Sequence, residues 1–290
     1  MSKYLPFSII ISLLACIQFS CKKMEAEQVA WVRIDSIGFK ATPANNLGTI
    51  KQDFSDVWFY VNDNLQGTYE LPAKFPVIMN GNASVIIMPG FRMNGFSTQR
   101  PIYTVVEPFK DVWNFKIGDT IHFNPVLRYD TLRSTPYLES FELGSMSLTK
   151  TLYSSSDISL VNSASLAFEG VGCGYLSLST SDPNSYAEIL TIDSYTLPKN
   201  GVPVYFEMHY KCNTPFIIRL RGITSDGYPY DFDIGGLNSS KNQWKKVYYA
   251  LTPEILKFTQ GNKFHLMIRV PRDLDNPMQE LYLDNLKLIY

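Results

Sequence analysis

Apolar and polar residues alternate with a period of two through much of the C-terminal half of the chain. Val204, Phe206, Met208 and Tyr210 stand against Tyr205, Glu207, His209 and Lys211. Phe216, Ile218 and Leu220 oppose Ile217, Arg219 and Arg221, and Phe264, Leu266, Ile268 and Val270 oppose His265, Met267 and Arg269. Successive side chains of a strand point to opposite faces, so each segment is predicted as a strand with one buried and one accessible face. Near the C-terminus the parity breaks: Leu281 and Leu283 are odd, whereas Leu286, Leu288 and Tyr290 are even. One strand keeps both sets inside only if a bulge at Asp284-Asn285 resets the register. A single short helix is predicted at Thr252-Pro253-Glu254-Ile255-Leu256-Lys257, with Thr252 as N-cap and Pro253 in the first helical position.

From about residue 31 to 127 the pattern changes to short apolar runs separated by turn chemistry. The turns are Thr42-Pro43-Ala44-Asn45-Asn46, Asn62-Asp63-Asn64, Asn80-Gly81-Asn82 and Pro89-Gly90. Val57-Trp58-Phe59-Tyr60-Val61 and Val85-Ile86-Ile87-Met88 are apolar on both faces and too short for helices, which predicts buried sandwich strands with Trp58 in the core. Trp113, Phe115 and Ile117 alternate with Asn114 and Lys116, a strand with one wet face. Between 129 and 139 the apolar pattern lapses into Asp130-Thr131-Leu132-Arg133-Ser134-Thr135-Pro136, read as a linker. The expected fold class is all-β: two β-sandwich domains in series, 29–128 and 140–290.

The N-terminus follows a different logic. Lys3 precedes an almost wholly apolar run over residues 5–19, which ends in Phe19-Ser20-Cys21-Lys22-Lys23. That run is about fifteen residues, short of the ~20 that cross a bilayer as a helix, and its order of parts is that of a signal peptide, 1–20. Ser20-Cys21 resembles a lipobox, which implies lipidation of Cys21 before cleavage and a lipidated tether over 21–28. Leu13-Leu14-Ala15-Cys16 offers a second such site, but a cut there leaves Ile17-Gln18-Phe19 on the mature end, which favours Cys21. Lys rather than Asp follows Cys21, so the expected location is the outer membrane, either face. Two or three acyl chains hold a protein stably on a bilayer where one does not. The tether of about seven residues reaches roughly 25 Å at ~3.5 Å each, placing the first sandwich as a membrane-proximal spacer.

Composition narrows the chemistry. A net charge of −1 suggests neither nucleic acid nor acidic lipid as partner, and 18 Tyr and 18 Phe suit half-buried strand surfaces. Beyond the signal region Cys173 and Cys212 are the only cysteines, either bridged or buried as free thiols. His122, His209 and His265 lie outside ligand spacing of one another, and no His-Glu-x-x-His, Cys-x-x-Cys or Gly-x-Ser-x-Gly occurs. Gly170-Val171-Gly172-Cys173-Gly174 is followed by a strand rather than a helix, and reads as a tight turn rather than a phosphate cradle. Asp231 and Asp233 are a close acidic pair, but the overall reading is a chain that is not an enzyme.

The second domain resembles the jelly-roll domains of galactose-binding-like and carbohydrate-binding-module type. The resemblance rests on Phe141-Glu142, Ser165-Leu166-Ala167-Phe168-Glu169-Gly170, Trp244-Lys245-Lys246-Val247-Tyr248 and Leu281-Tyr282-Leu283-Asp284-Asn285-Leu286-Lys287-Leu288. It implies a structural Ca²⁺ site, for which Asp284 and Glu142 are the candidates, the alternative being that Asp284 merely caps the bulge. The first domain is similar to immunoglobulin-like or transthyretin-like modules of bacterial surface lipoproteins, through Asp56-Val57-Trp58-Phe59-Tyr60-Val61, Gly67-Thr68-Tyr69-Glu70-Leu71-Pro72 and Phe75-Pro76. Together they resemble outer-membrane lipoproteins of glycan-foraging Gram-negative bacteria.

Sugars offer apolar faces to aromatic rings and hydroxyls to polar neighbours. Two regions meet that need: the loop carrying Tyr228, Tyr230 and Asp231, and an accessible face of Glu207, His209, Arg219, Arg221, His265 and Arg269. The second, basic with one carboxylate, would suit an acidic or sulfated sugar. Trp244, with lysines following, is expected in the core. The expectation is a non-catalytic surface lipoprotein binding a glycan through its jelly roll, or else an adhesion component engaging another envelope protein. A Cys21→Ser variant is expected to lose labelled palmitate and to leave the membrane fraction; continued labelling of that variant would move the lipid to Cys16.

Overall fold

Asn62 and Asp63 both occupy left-handed backbone, with φ of 47° and 61°, which is what a two-residue hairpin requires. In the computed structural model, which describes residues 28–41 and 48–290, they join two strands of the first sandwich. Cys21, the signal segment and the tether lie outside the described residues. In order, this sandwich comprises β1 (Ala30–Ile34), β2 (Gly38–Phe39), β3 (Asp56–Val61), β4 (Asn64–Glu70), β5 (Ala73–Val77), β6 (Gly81–Gly90), β7 (Phe109–Phe115), β8 (Thr120–His122) and β9 (Val126–Leu127). Sheet β5-β1-β8 faces sheet β4-β3-β6-β7 across a core of Val32, Phe59, Phe75, Val85, Trp113 and Phe115. Pro89 and Gly90, expected as a turn, instead finish β6.

Trp58 and Tyr60 are not in that core. Val57, Phe59 and Val61 fill the inner face of β3, so the alternation of the strand turns Trp58 and Tyr60 outward, where both are half-buried. Ile86 and Met88 pair beside them, and no core cluster among the described residues includes any of the four.

The second sandwich has two six-stranded sheets. Its strands are β10 (Tyr137–Glu139), β11 (Leu148–Lys150), β12 (Ser159–Asn162), β13 (Gly172–Leu178), β14 (Tyr186–Thr191) and β15 (Tyr195–Thr196), followed by β16 (Tyr205–Cys212), β17 (Phe216–Ile223), β18 (Pro229–Leu237), β19 (Lys245–Ala250), β20 (Lys263–Pro271) and β21 (Gln279–Ile289). One sheet runs β12-β13-β21-β16-β19 with β10 added on β21; the other runs β11-β14-β20-β17-β18 with β15 added on β20. The chain is therefore all-β, as the alternation predicts. The segment read as a linker carries β10, and Tyr129 at its start is buried. In β21, Asn285 takes φ 51° and the pairing with β16 shifts register, so Leu281, Leu283, Leu286 and Leu288 all reach the same core. The bulge is where the parity requires it. Helix α1 (Thr252–Lys257) starts one residue earlier than expected: Leu251 is its N-cap, and the Thr252 hydroxyl accepts the Val204 N–H at 2.8 Å instead. Cys173 and Cys212 are buried free thiols, and burial pushes the Cys173 thiol up to about 11. Among the described residues, no helix is long and apolar enough to cross a membrane.

The two sandwiches meet over the outer face of the β16-bearing sheet. Phe91, Tyr103 and Val105 of the first, with Tyr129 of the connection, pack on Tyr205, Tyr248 and Ile289 of the second. Inside this apolar contact lies one carboxylate, Glu207, fully buried. Lys246 Nζ stands 2.7 Å and Lys287 Nζ 3.2 Å from it, the Tyr129 hydroxyl is 3.0 Å from both its oxygens, and Tyr103 donates to it as well. Gln52 ties Tyr129 to Tyr248 through bonds of 2.8 and 3.0 Å. Burial alone would raise the Glu207 carboxyl, but the two ammonium groups outweigh it and hold it down at about 2. Burial and the neighbouring Lys246 push Lys287 down to about 7, only partly offset by Glu207.

The pH dependence follows from these directions. Stabilisation by Glu207 is complete above the ordinary carboxylate range and is lost as pH falls from about 4.5 towards 2. From about pH 7 upward, the unfolded chain holds the Lys287 proton that the folded chain has released, so this group adds stability as pH rises towards about 10. Urea midpoints measured across pH should show both limbs. Glu207→Gln should flatten the acid limb relative to the unaltered chain and cost about 3–5 kcal/mol, the usual penalty for stranding a buried charge. An unchanged acid limb in that variant would contradict this account.

Candidate functional site

The outer face of the β14-β20-β17-β18 sheet gathers Arg219, Arg221, His265 and Arg269, as the sequence predicts. Arg221 pairs with His265 across β17 and β20, and Ile217 with Arg269. Glu207 and His209 are elsewhere, on β16 of the other sheet. The expectation of a wet face on β16 fails because the first sandwich covers Glu207, while Phe168 stacks on His209 at 3.8 Å. Burial pushes His209 down to about 2, so it is neutral.

The face is also not basic. Glu188, buried on β14, accepts from Arg219 at 2.5 Å and from Arg269 at 2.6 Å through the same oxygen. Arg219 also bonds Asp233 at 2.5 Å, and Asp231 receives Arg221 on both oxygens at 2.6 and 2.8 Å. Three guanidiniums meet three carboxylates, and His265 Nδ1 donates to the Thr191 carbonyl at 2.8 Å. A sugar hydroxyl would have to compete with charge-assisted bonds already made. Glu188 is the residue the sequence reading missed; its only signal is one acid between Ala187 and Ile189 in an apolar run.

At one end of this sheet the loops form a hollow. Tyr228 is 67% exposed there and lines a cavity of about 430 Å³ with Thr224, Ser225, Asp226 and Gln260. A second cavity of about 700 Å³ shares Thr224, Ser225 and Gln260 and adds Lys199, Asn262 and Lys263. Gly261 makes this packing possible, since a Cβ there would lie 2.0 Å from the Ile223 carbonyl oxygen. Ser225 N–H donates to the Gln260 carbonyl at 2.9 Å, and the Thr224 hydroxyl accepts the Tyr228 N–H at 2.9 Å. Tyr230 does not join it. It lines a separate slot of about 220 Å³ with Phe232 and Phe258, while Asp231 points to the arginine face. Tyr228, Tyr230 and the arginine face thus occupy three separate places.

Asp284 and Glu142 lie close enough for their charges to interact. Asp284 Oδ2 accepts the N–H groups of Phe168 and Glu169 at 3.0 and 3.1 Å, but its buried Oδ1 has no hydrogen-bond partner. Burial, with Glu142 adding to it, raises the Asp284 carboxyl to about 7. Glu142 Oε1 accepts from Val171 and Gly172 at 2.9 and 2.8 Å. Among the described residues no three His, Cys, Asp or Glu side chains cluster as a metal site. The orphaned Asp284 oxygen beside a second carboxylate nonetheless fits a hard cation whose remaining ligands would be backbone oxygens. Trp244 lies outside the core cluster, half-buried, with Lys211 5.3 Å over its ring.

No protein-family model matches the chain, nor does any curated protein. Among solved structures the chain is similar to the CBM22-1 xylan-binding domain of Paenibacillus barcinonensis Xyn10C, at 14% identity and a TM-score of 0.40, over 53% of this chain and 93% of that one. It is also similar to the family 30 carbohydrate-binding module of the Clostridium thermocellum cellulosomal cellulase Cel9D-Cel44B, at 13% identity and a TM-score of 0.37, over 54% of this chain and 96% of that one. A carbohydrate-binding module of the β-sandwich superfamily matches at 14% identity and a TM-score of 0.39, over 81% of this chain and 85% of that one.

Proposed function

We propose that this chain is a non-catalytic glycan-binding protein, held on the outer membrane by lipid on Cys21, whose ligand lies across the loop end at Tyr228. The observation that carries the reading is the exposed Tyr228 ring beside two adjoining hollows lined by hydroxyl and amide side chains. The ring supplies an apolar platform for a pyranose face, and Thr224, Ser225, Gln260 and Asn262 supply paired donors and acceptors for its hydroxyls. The arginine face serves this reading less well because its charges are already paired. A second reading, engagement of an envelope protein, is favoured by the half-buried outward stripe of Trp58, Tyr60, Ile86 and Met88 on the first sandwich.

Binding of the full chain to a panel of polysaccharides, by affinity electrophoresis, tests the first reading. Tyr228→Ala should weaken binding by about tenfold or more, and Tyr230→Ala, in a separate slot, should leave it unchanged. No polysaccharide retarding the chain would leave the protein-partner reading.

The corner at Asp284 and Glu142 we assign to a structural Ca²⁺, with Asp284 Oδ1 and Glu142 as its side-chain ligands. Added Ca²⁺ should raise the melting temperature of EDTA-treated protein, and Asp284→Asn should abolish the response. An equal response in that variant would place the ion elsewhere.

A further inference from the structure

We infer that the ligand of the loop-end cavity is an anionic glycan, one bearing uronate or sulfate groups; this rests on the reading of that end as a glycan site. The 700 Å³ cavity is lined by Lys199 and Lys263 and by no carboxylate. Its other polar lining, including Thr224, Ser225, Thr259, Gln260 and Asn262, is neutral. Asp226 lines the adjoining Tyr228 hollow instead.

Neither lysine makes an ion pair among the described residues, whereas Arg219, Arg221 and Arg269 of the same sandwich are all paired with carboxylates. Lys199 is also held in place: its ammonium donates to the Phe258 carbonyl and stands 5.6 Å over the Phe258 ring. Both partners are electrically neutral, and no carboxylate pairs with this lysine among the described residues. Lys263 lines the same hollow and is exposed, at the first position of β20. A hollow lined by two ammoniums that have no carboxylate partner, by neutral donors and acceptors, and adjoining the Tyr228 hollow matches a sugar chain that carries fixed negative charge. A neutral chain would use the hydroxyls and amides but gain nothing from the lysines. The acidic-sugar chemistry that the sequence places on the sheet face belongs at the loop end, because the face is neutralised and the cavity is not.

The test titrates the full chain in detergent micelles with polygalacturonate, chondroitin sulfate and neutral xylan, each at low and high salt. Binding to one or both anionic chains should exceed binding to xylan and should weaken as salt screens the charges over a Debye length of about 10 Å at 0.1 M. Which of the two anionic chains binds distinguishes uronate from sulfate. Lys263→Gln should weaken that binding by about tenfold and flatten its salt dependence, and Lys263→Arg should restore both. Lys199→Gln should act likewise, with Lys263→Gln, at an exposed position, keeping the test open if Lys199→Gln folds poorly. Tyr228-dependent binding of xylan that ignores salt and both lysine substitutions would overturn this inference and leave the glycan reading standing. Anionic binding indifferent to both substitutions would also overturn it. Failure of every polysaccharide to bind would overturn both.

Discussion

One buried carboxylate is shared by two buried ammonium groups, and the relation of the two sandwiches depends on it. Glu207 comes from the middle of β16, Lys246 from β19 and Lys287 from β21, three adjacent strands of one sheet. The first sandwich contributes the hydroxyls of Tyr103 and, from the connection between them, Tyr129. Two positive charges on one negative charge, away from water, is an unbalanced arrangement. Both ammoniums hold the Glu207 carboxyl down, while burial and Lys246 lower Lys287 in turn. Such a cluster adds little net stability over an apolar contact, but it penalises any docking that separates its parts, and so it fixes how the two sandwiches meet.

The same cluster explains what was and was not legible in the sequence. Alternation identified β16, β17 and β20 and located the bulge in β21, because those signals depend only on which residues share a face. It could not say that the outer face of β16 is covered, since covering is supplied by Phe91, Tyr103 and Val105, more than a hundred residues away. Glu207 therefore looks wet in the sequence and is dry, while His209 is covered by Phe168 of its own sandwich. The reverse error was made in β3, where an apolar run suggested two buried faces and the strand has only one. A lone polar residue in an apolar strand and a lone tryptophan in the same setting are ambiguous until the neighbouring layer is known.

The candidate site shows a finer version of this limit. Composition near Arg219, Arg221 and Arg269 reads as basic, yet Arg219 and Arg269 share Glu188 of β14, and Asp233 and Asp231 supply the other two negative charges. Lys199 and Lys263 are unremarkable in sequence, and they acquire meaning only because Gly261 lets a loop close against β17 and bring them to one hollow. Charge in a β-sandwich is set by the register of strands and the fit of loops, neither of which is local.

Cys173 and Cys212 lie on β13 and β16, within one sheet and both buried. They are the only cysteines among the described residues, and both are free thiols. Each is then a silent witness to breathing: reagents that modify thiols reach them only when the sheet parts. The rate of modification without denaturant would count those openings, strand by strand, in a protein that otherwise gives no outward sign of them.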